Sequence, residues 1–446
     1  MLQKKKTYRH EWVDEFIRNI RPYVYVRTED NLLIKRPNQA TKLNGTGAQI
    51  LKYLLEGGNI RALIKRSGPE KEIMILDFII GVRDFLKGNL DEFTLNPAIE
   101  KKPFEMNFSE YPVLSELALT YRCNLKCRFC YAGCNQTANP AGSSKELNEE
   151  DFKKVIAIIK DDAKTPSISF TGGEPSLERK LLLKLIGFAK KLDMRVNLIT
   201  NGTLIDMDYA RDLEKAGLDS VQVSLEGITA ETNDLLTRVN GSWKMTIRGI
   251  EALASTSMHV HTNTTITRVN LKECSGFPGF IKEKFGFNKF SMNLLIPAGS
   301  GIIYDELIVR YNEAGEFLPA IMQESEKQGV EFMWYSPVPM CMFNTILHGL
   351  GNKGCSACDG LISVAPNGDV LPCASYDDPV GNLIAEKFSD IWKNTKACMY
   401  REKGKAHAFC KECEQFYICN GACPIYWRER GYSELDTIIQ SNTVNI

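Results

Sequence analysis

Thr120-Tyr121-Arg122-Cys123-Asn124-Leu125-Lys126-Cys127-Arg128-Phe129-Cys130-Tyr131 is the stretch that decides how this chain is read. An alternating apolar run, Val113 to Leu119, precedes it and predicts a strand that delivers three thiols into one loop. Thiolates are soft ligands, and Cys spacings this short make them converge. Three thiolates on a four-iron cube leave one iron without a protein ligand, and an open iron is a place for a substrate or cofactor. A zinc knuckle or three buried free thiols are the competing readings.

The 446 residues predict two or three domains. Lys+Arg and Asp+Glu balance at 55 each, which argues against a polyanionic partner such as nucleic acid and against a charged membrane surface. The Met-Leu-Gln-Lys-Lys-Lys start lacks the apolar core of a signal peptide, and no run is long enough for a membrane span, so a cytoplasmic protein is expected. Fourteen cysteines without a secretion signal speak for metal sites rather than disulfides. Apart from Cys274 and Cys341 they fall in two bands, Cys123–Cys134 and Cys355–Cys423. Only five His leave haem or His-rich zinc sites poorly supported.

Alternation at Tyr23–Val26 and Leu32–Ile34, a turn at Glu29-Asp30-Asn31 and a short strand at Ala40–Leu43 predict a small sheet. Asn44-Gly45-Thr46 opens a helix bearing Ile50, Leu51, Leu54 and Leu55, stopped by Gly57-Gly58. Helices over Ile60–Lys65 and Lys71–Leu90 follow. From Val113 to about Tyr335 strands and helices alternate, with strands at Val113–Leu119, Ser167–Phe170, Arg195–Ile199, Ser220–Leu225, His259–Ile266 and Lys289–Ile296. Six βα units with short loops imply a parallel sheet curled into a partial barrel, with chemistry at the C-terminal strand ends. Thr171-Gly172-Gly173-Glu174-Pro175 falls at one such end, where two glycines let backbone approach a ligand and carbonyls suit an ammonium group. Asn201 and Ser224 stand at two more, positions where either residue also caps a helix well.

The loop, C-x3-C-x2-C with aromatic Phe129 before the last Cys, resembles that of the radical S-adenosylmethionine (SAM) superfamily, and the Gly-Gly-Glu-Pro turn about forty residues on resembles its SAM-binding turn. The resemblance implies a partial (β/α)6 TIM-like barrel. It also implies that Cys123, Cys127 and Cys130 hold a [4Fe–4S] cluster whose open iron chelates SAM, with Gly172, Gly173 and Glu174 at its amino group. Asn201, Ser224 and Arg238 would serve the SAM carboxylate or ribose, and Ile296, in Leu294–Gly299, the adenine.

Further on come Cys355-x2-Cys358, a Pro366-Asn367-Gly368-Asp369 hairpin turn before Cys373, and Cys410-x2-Cys413-x5-Cys419-x3-Cys423. This resembles the SPASM domain with two auxiliary [4Fe–4S] clusters, three clusters in all. By that resemblance the first takes Cys373 and Cys423 with one or two of Cys341, Cys355 and Cys358, and the second takes Cys410, Cys413 and Cys419. The family supplies a last Cys downstream of the train, and none follows Cys423, so either Cys398 or Cys341 substitutes or one cluster keeps an open iron. A C4 zinc ribbon would leave Cys373, Cys419 and Cys423 idle, and Cys134 and Cys274 read as ordinary buried thiols.

The N-terminal module, with Thr41-Lys42-Leu43-Asn44-Gly45-Thr46-Gly47-Ala48-Gln49-Ile50-Leu51, resembles the winged-helix-like RiPP recognition element, which takes a leader peptide by adding it to an exposed sheet edge. The domains expected are 17–100 for leader binding, 108–336 for the barrel and 337–446 for the SPASM domain. Together they resemble peptide maturases that form thioethers in sactipeptides and ranthipeptides, most of all maturases of SCIFF precursors. Such an enzyme implies a Cys-rich precursor peptide and a reductant such as flavodoxin or ferredoxin as partners. A sulfatase-type maturase oxidising Cys or Ser, or a non-enzymatic iron–sulfur regulator, are the alternatives. A regulator would have no need of the Gly-Gly-Glu-Pro turn.

Overall fold

The computed structural model describes residues 10–36, 39–87, 109–134 and 145–443. It divides into two compact units, Met1–Val113 and Leu114–Ile446. The expected boundary between residues 100 and 108 and the end of the helix expected to reach Leu90 lie outside the described residues. Among those described, no helix is long and apolar enough to cross a membrane.

In the first unit, β1 (Val24–Arg27), β2 (Leu32–Lys35) and β3 (Gln39–Lys42) form an antiparallel sheet in the order β1-β2-β3. Alternation gives β2 two buried faces. Leu33 joins the helical core with Leu51, Leu54, Phe78 and Ile79, while Leu32 and Ile34 pack with Val113. Asn44 caps α2 (Gly45–Leu55) by accepting from the Gly47 N–H at 2.7 Å, and Asn59 caps α3 (Ile60–Ser67). These precede α4 (Glu72–Leu86). An unanticipated helix, α1 (Glu11–Ile20), places Trp12, Val13, Phe16, Ile17 and Ile20 on the same core.

Arg27 is fully buried, a position that demands a partner. It donates to both Asp30 oxygens (2.8 and 2.9 Å) and to the Pro112 carbonyl at 2.8 Å. Asp30 Oδ2 also accepts from the Glu110 N–H at 3.1 Å, which ties residues 110–112 to the β1–β2 turn.

In the second unit ten strands run in the order β10-β9-β8-β7-β6-β5-β4-β11-β12-β13. They are β4 (Leu114–Ala118), β5 (Ser167–Thr171), β6 (Arg195–Thr200), β7 (Ser220–Ser224), β8 (His259–Ile266), β9 (Lys289–Leu294), β10 (Glu331–Trp334), β11 (Leu361–Val364), β12 (Asp369–Leu371) and β13 (Gly381–Asn382). All neighbours from β4 to β10 are parallel, so the expected six-strand partial barrel gains a seventh strand, β10. At its other edge, β4 pairs in parallel with β11 of the C-terminal hairpin, so the two expected domains share one sheet.

Alternation sorts the two faces. Val196, Leu198, Val221, Val223, Phe290 and Met292 are fully buried, and Trp334, in register with Met292, packs on Phe317 of the helix Ala314–Gln328. The opposite face is polar and hydrogen-bonded across strands: Asn197 to Ser169 (3.3 Å), Ser220 to Asn197 (2.8 Å), Asn263 to Asn293 (2.9 Å) and Ser291 to Asn263 (2.8 Å). This is the concave interior onto which the strand-end loops open.

Candidate functional site

The cysteine loop leaves β4 and is held on three sides. Gly173 N donates to the Thr120 carbonyl (2.7 Å) and Glu174 N to that of Arg122 (2.8 Å). Lys126 N and Arg128 N, both at 3.0 Å, bond the last carbonyls of the helix Ala230–Thr237, at Thr237 and Leu236. Ser300 N reaches the Cys130 carbonyl at 2.8 Å. Backbone approaches so closely that glycine is required. A Cβ on Gly172, at φ 138°, would stand 2.3 Å from the Thr120 oxygen, and one on Gly299 2.4 Å from that of Tyr131. The turn containing Ile296 therefore lies against the loop.

Cys123, Cys127 and Cys130 are partly buried within this frame. Burial pushes Cys123 up to about 11 and Cys127 well above the ordinary thiol range, with Cys130 adding to both. Cys130 is drawn down to about 6, chiefly by a hydrogen bond from Cys134. Cys134 is thus no bystander, since it senses Cys130, Cys123 and Cys127. Cys274 is the buried thiol expected, bonded to the Asn270 carbonyl at 3.4 Å. Phe129 is half-buried in the loop.

The Glu174 carboxylate is buried and accepts from Ser176 N (2.9 Å), the Ser176 hydroxyl, Thr200 Oγ1 (2.7 Å) and Asn201 N (2.8 Å). Four donors let it fasten the turn to the end of β6. The Gly172 and Gly173 carbonyls are acceptors of the kind that suit an ammonium group. Asn201 lies beside the thiols, its Nδ2 3.0 Å from Asn124 Oδ1 and 3.9 Å from Cys123 Sγ. Ser224 is half-buried at the end of β7, in register with Asn263. Arg238, left-handed at φ 58°, donates to the Tyr304 hydroxyl at 2.9 Å, and Arg128 lies over the same ring.

Two groups the sequence reading passed over complete the site. Glu226, buried after β7, accepts from Thr265 N at 2.8 Å, and burial lifts it to about 8. Glu116 sits on β4, in register with Ser169 and Ser363. Neither belongs to a spacing motif; Glu226 is buried and Glu116 half-buried.

The C-terminal thiols sort into two sets. The Pro366–Asp369 turn folds β12 back on β11, and Cys358 N meets the Pro372 carbonyl at 3.0 Å, as the hairpin reading expects. Cys373 and Cys423 are both raised by burial and by Cys355, which also perturbs Cys358. Cys410 is raised by burial and, after that, by Cys419, Cys341 and Cys413. Met340 N donates to Cys419 Sγ at 3.3 Å, which holds the 340–341 backbone at this second set. Cys398 joins neither: its thiol bonds the Lys393 carbonyl (3.6 Å) and accepts from Arg401 (3.9 Å). No three Cys, His, Asp or Glu side chains among the described residues close around a single ion. An all-thiol donor set with wider spacing fits cubes, whose irons sit at separate corners.

Residues 117–274 match the model of the Radical SAM superfamily, and residues 355–414 that of SPASM, an iron–sulfur cluster-binding domain. The fold is a radical SAM fold carrying a SPASM domain. The chain is 28% identical over 346 residues to the AdoMet-dependent heme synthase of Methanosarcina barkeri, covering 72% of this chain and 93% of that one. It is 27% identical over 320 residues to mycofactocin maturase MftC of Mycobacterium tuberculosis, covering 70% and 78%. Streptococcus suis SuiB bound to precursor peptide SuiA superposes with a TM-score of 0.66 at 15% identity, covering 92% of this chain and 95% of that chain. At that identity the likeness speaks for the radical SAM/SPASM fold alone.

Proposed function

We propose that this chain is a radical SAM maturase that installs thioether crosslinks between Cys and an acceptor residue of a ribosomally made precursor peptide. The observation that carries the reading is the three-thiol loop locked against the Gly-Gly turn, in a chain whose separate N-terminal unit has, among the described residues, β3 as an outer strand of its sheet. Cys123, Cys127 and Cys130 would hold the SAM-binding [4Fe–4S] cluster. When bound, that cluster supplies the electron that cleaves SAM to a 5′-deoxyadenosyl radical. Gly172 and Gly173 present backbone to the SAM amino group, and Asn201 and the Ile296 turn confine the rest. The N-terminal unit takes the leader as a fourth strand on β3.

Cys355, Cys358, Cys373 and Cys423 are assigned to the first auxiliary cluster, and Cys341, Cys410, Cys413 and Cys419 to the second. Cys341 thereby stands in for the absent downstream cysteine. A flavodoxin or ferredoxin would deliver electrons.

A tetrapyrrole substrate is the second reading, favoured by the haem-synthase relative. Against it, the interior face offers Glu116, Asn263, Ser291 and Asn293 where a polycarboxylate would want cations. Anaerobically reconstituted enzyme, reduced with dithionite, is expected to convert SAM to 5′-deoxyadenosine. With a Cys-rich precursor peptide encoded beside its gene, it should yield a product lighter by two hydrogens per crosslink. Conversion of a porphyrin carboxylate with no change to peptide would overturn the proposal.

A further inference from the structure

A small pocket opens on the interior side of β4 and β11. Its wall includes Glu116, Tyr131, Thr171, Gly172, Ser363 and Ala374. Gly172 belongs to the Gly-Gly turn, Tyr131 follows the last cysteine of the loop, and Ala374 follows Cys373. The pocket therefore lies beside the Gly-Gly turn and the end of the cysteine loop, with the residue after Cys373 in its wall. Glu116 is the carboxyl in that wall. Ser363 Oγ donates to its Oε2 at 3.1 Å, and no other described residue is bonded to the carboxyl.

We propose that Glu116 is the group that receives the proton of the substrate nucleophile when the new bond closes, so that the Glu116 cavity is where a peptide thiol and the acceptor carbon meet. The inference rests on the maturase reading, and its atoms balance as follows. The acceptor C–H hydrogen leaves as an atom to the 5′-deoxyadenosyl radical and gives 5′-deoxyadenosine. The S–H bond of the peptide Cys breaks, its proton passes to the Glu116 carboxylate, and the sulfur forms the S–C bond. One surplus electron leaves to a one-electron acceptor of the iron–sulfur class. A proton acceptor at this point must lie within hydrogen-bond reach of the thiol and must not be committed to a salt bridge. Glu116 meets the second condition, because its recorded partner is a neutral hydroxyl. Partial burial also holds its carboxyl above the usual carboxylate range. Glu174 and Glu226, the buried carboxyls at neighbouring strand ends, do not line this pocket.

The test uses reconstituted full-length holoenzyme and the precursor peptide deuterated at its acceptor carbons. It reads the ratio of crosslinked peptide to deuterated 5′-deoxyadenosine. In Glu116→Gln that ratio is expected to fall on the order of 10²-fold, the scale of a lost general base, with Glu116→Asp recovering part of it. An unchanged ratio in Glu116→Gln overturns the proposal. Should that variant lose its iron, Ser363→Ala decides: the ratio is expected to drop about tenfold there, and an unchanged ratio overturns the proposal. Wild-type enzyme that consumes SAM and modifies no peptide defeats the maturase reading itself, and this inference with it.

Discussion

Glu226 illustrates how one side chain sets a measurable property of the whole molecule. It is buried with a single recorded bond, from Thr265 N, and its carboxyl is lifted to about 8. The folded protein therefore holds a proton that the unfolded chain has released between about pH 4.5 and 8, so stability falls as pH rises through that window. In metal-free protein, Glu226→Gln is expected to flatten this slope, with a gain of up to about 5 kcal/mol at pH 8 relative to wild type. Urea midpoints at pH 5 and pH 8 measure it, and equal slopes for the two proteins would refute it. Arg27 works in the opposite direction. Arg27→Met strands Asp30 in the interior and is expected to cost about 3–5 kcal/mol, read as early unfolding of the first unit in hydrogen exchange.

At the scale of elements, what could be read from sequence followed from local periodicity and spacing. The strands of the barrel, the helix capped by Asn44, the hairpin turn before Cys373 and the cysteine loop all carry their signal within a dozen residues. The anchoring of Glu174 was not legible, because its donors Thr200 and Asn201 lie on another strand end, twenty-six and twenty-seven residues away. The partition of the C-terminal cysteines was illegible for the same reason. The 340–341 backbone meets Cys419 across seventy-nine residues, and nothing in the intervening spacing encodes that meeting. The proposed partition is testable by iron analysis. Wild type is expected to bind about twelve irons, Cys341→Ala to lose up to four with the second auxiliary signal, and Cys398→Ala to lose none. Loss of a cluster from Cys398→Ala with Cys341→Ala intact would reverse the assignment.

The molecule as a whole consists of two compact units, and the proposed function gives each its own task. If the second unit holds all the thiols and the Gly-Gly turn, radical generation belongs to it alone. The first unit then contributes only peptide capture, which raises the local concentration of substrate and adds no group to the reaction. A short tether makes that effective concentration of millimolar order. Deleting residues 1–100 is accordingly expected to leave 5′-deoxyadenosine formation in the absence of peptide near the full-length rate, while modification at micromolar precursor collapses by at least tenfold. Because the lost contribution is concentration, raising the precursor toward millimolar levels should recover most of the modification. A catalytic contribution from the first unit would instead leave the truncated enzyme impaired at every precursor concentration. Mass spectrometry of the peptide across that titration separates the two outcomes, and undiminished modification at low precursor would remove leader capture from the account altogether.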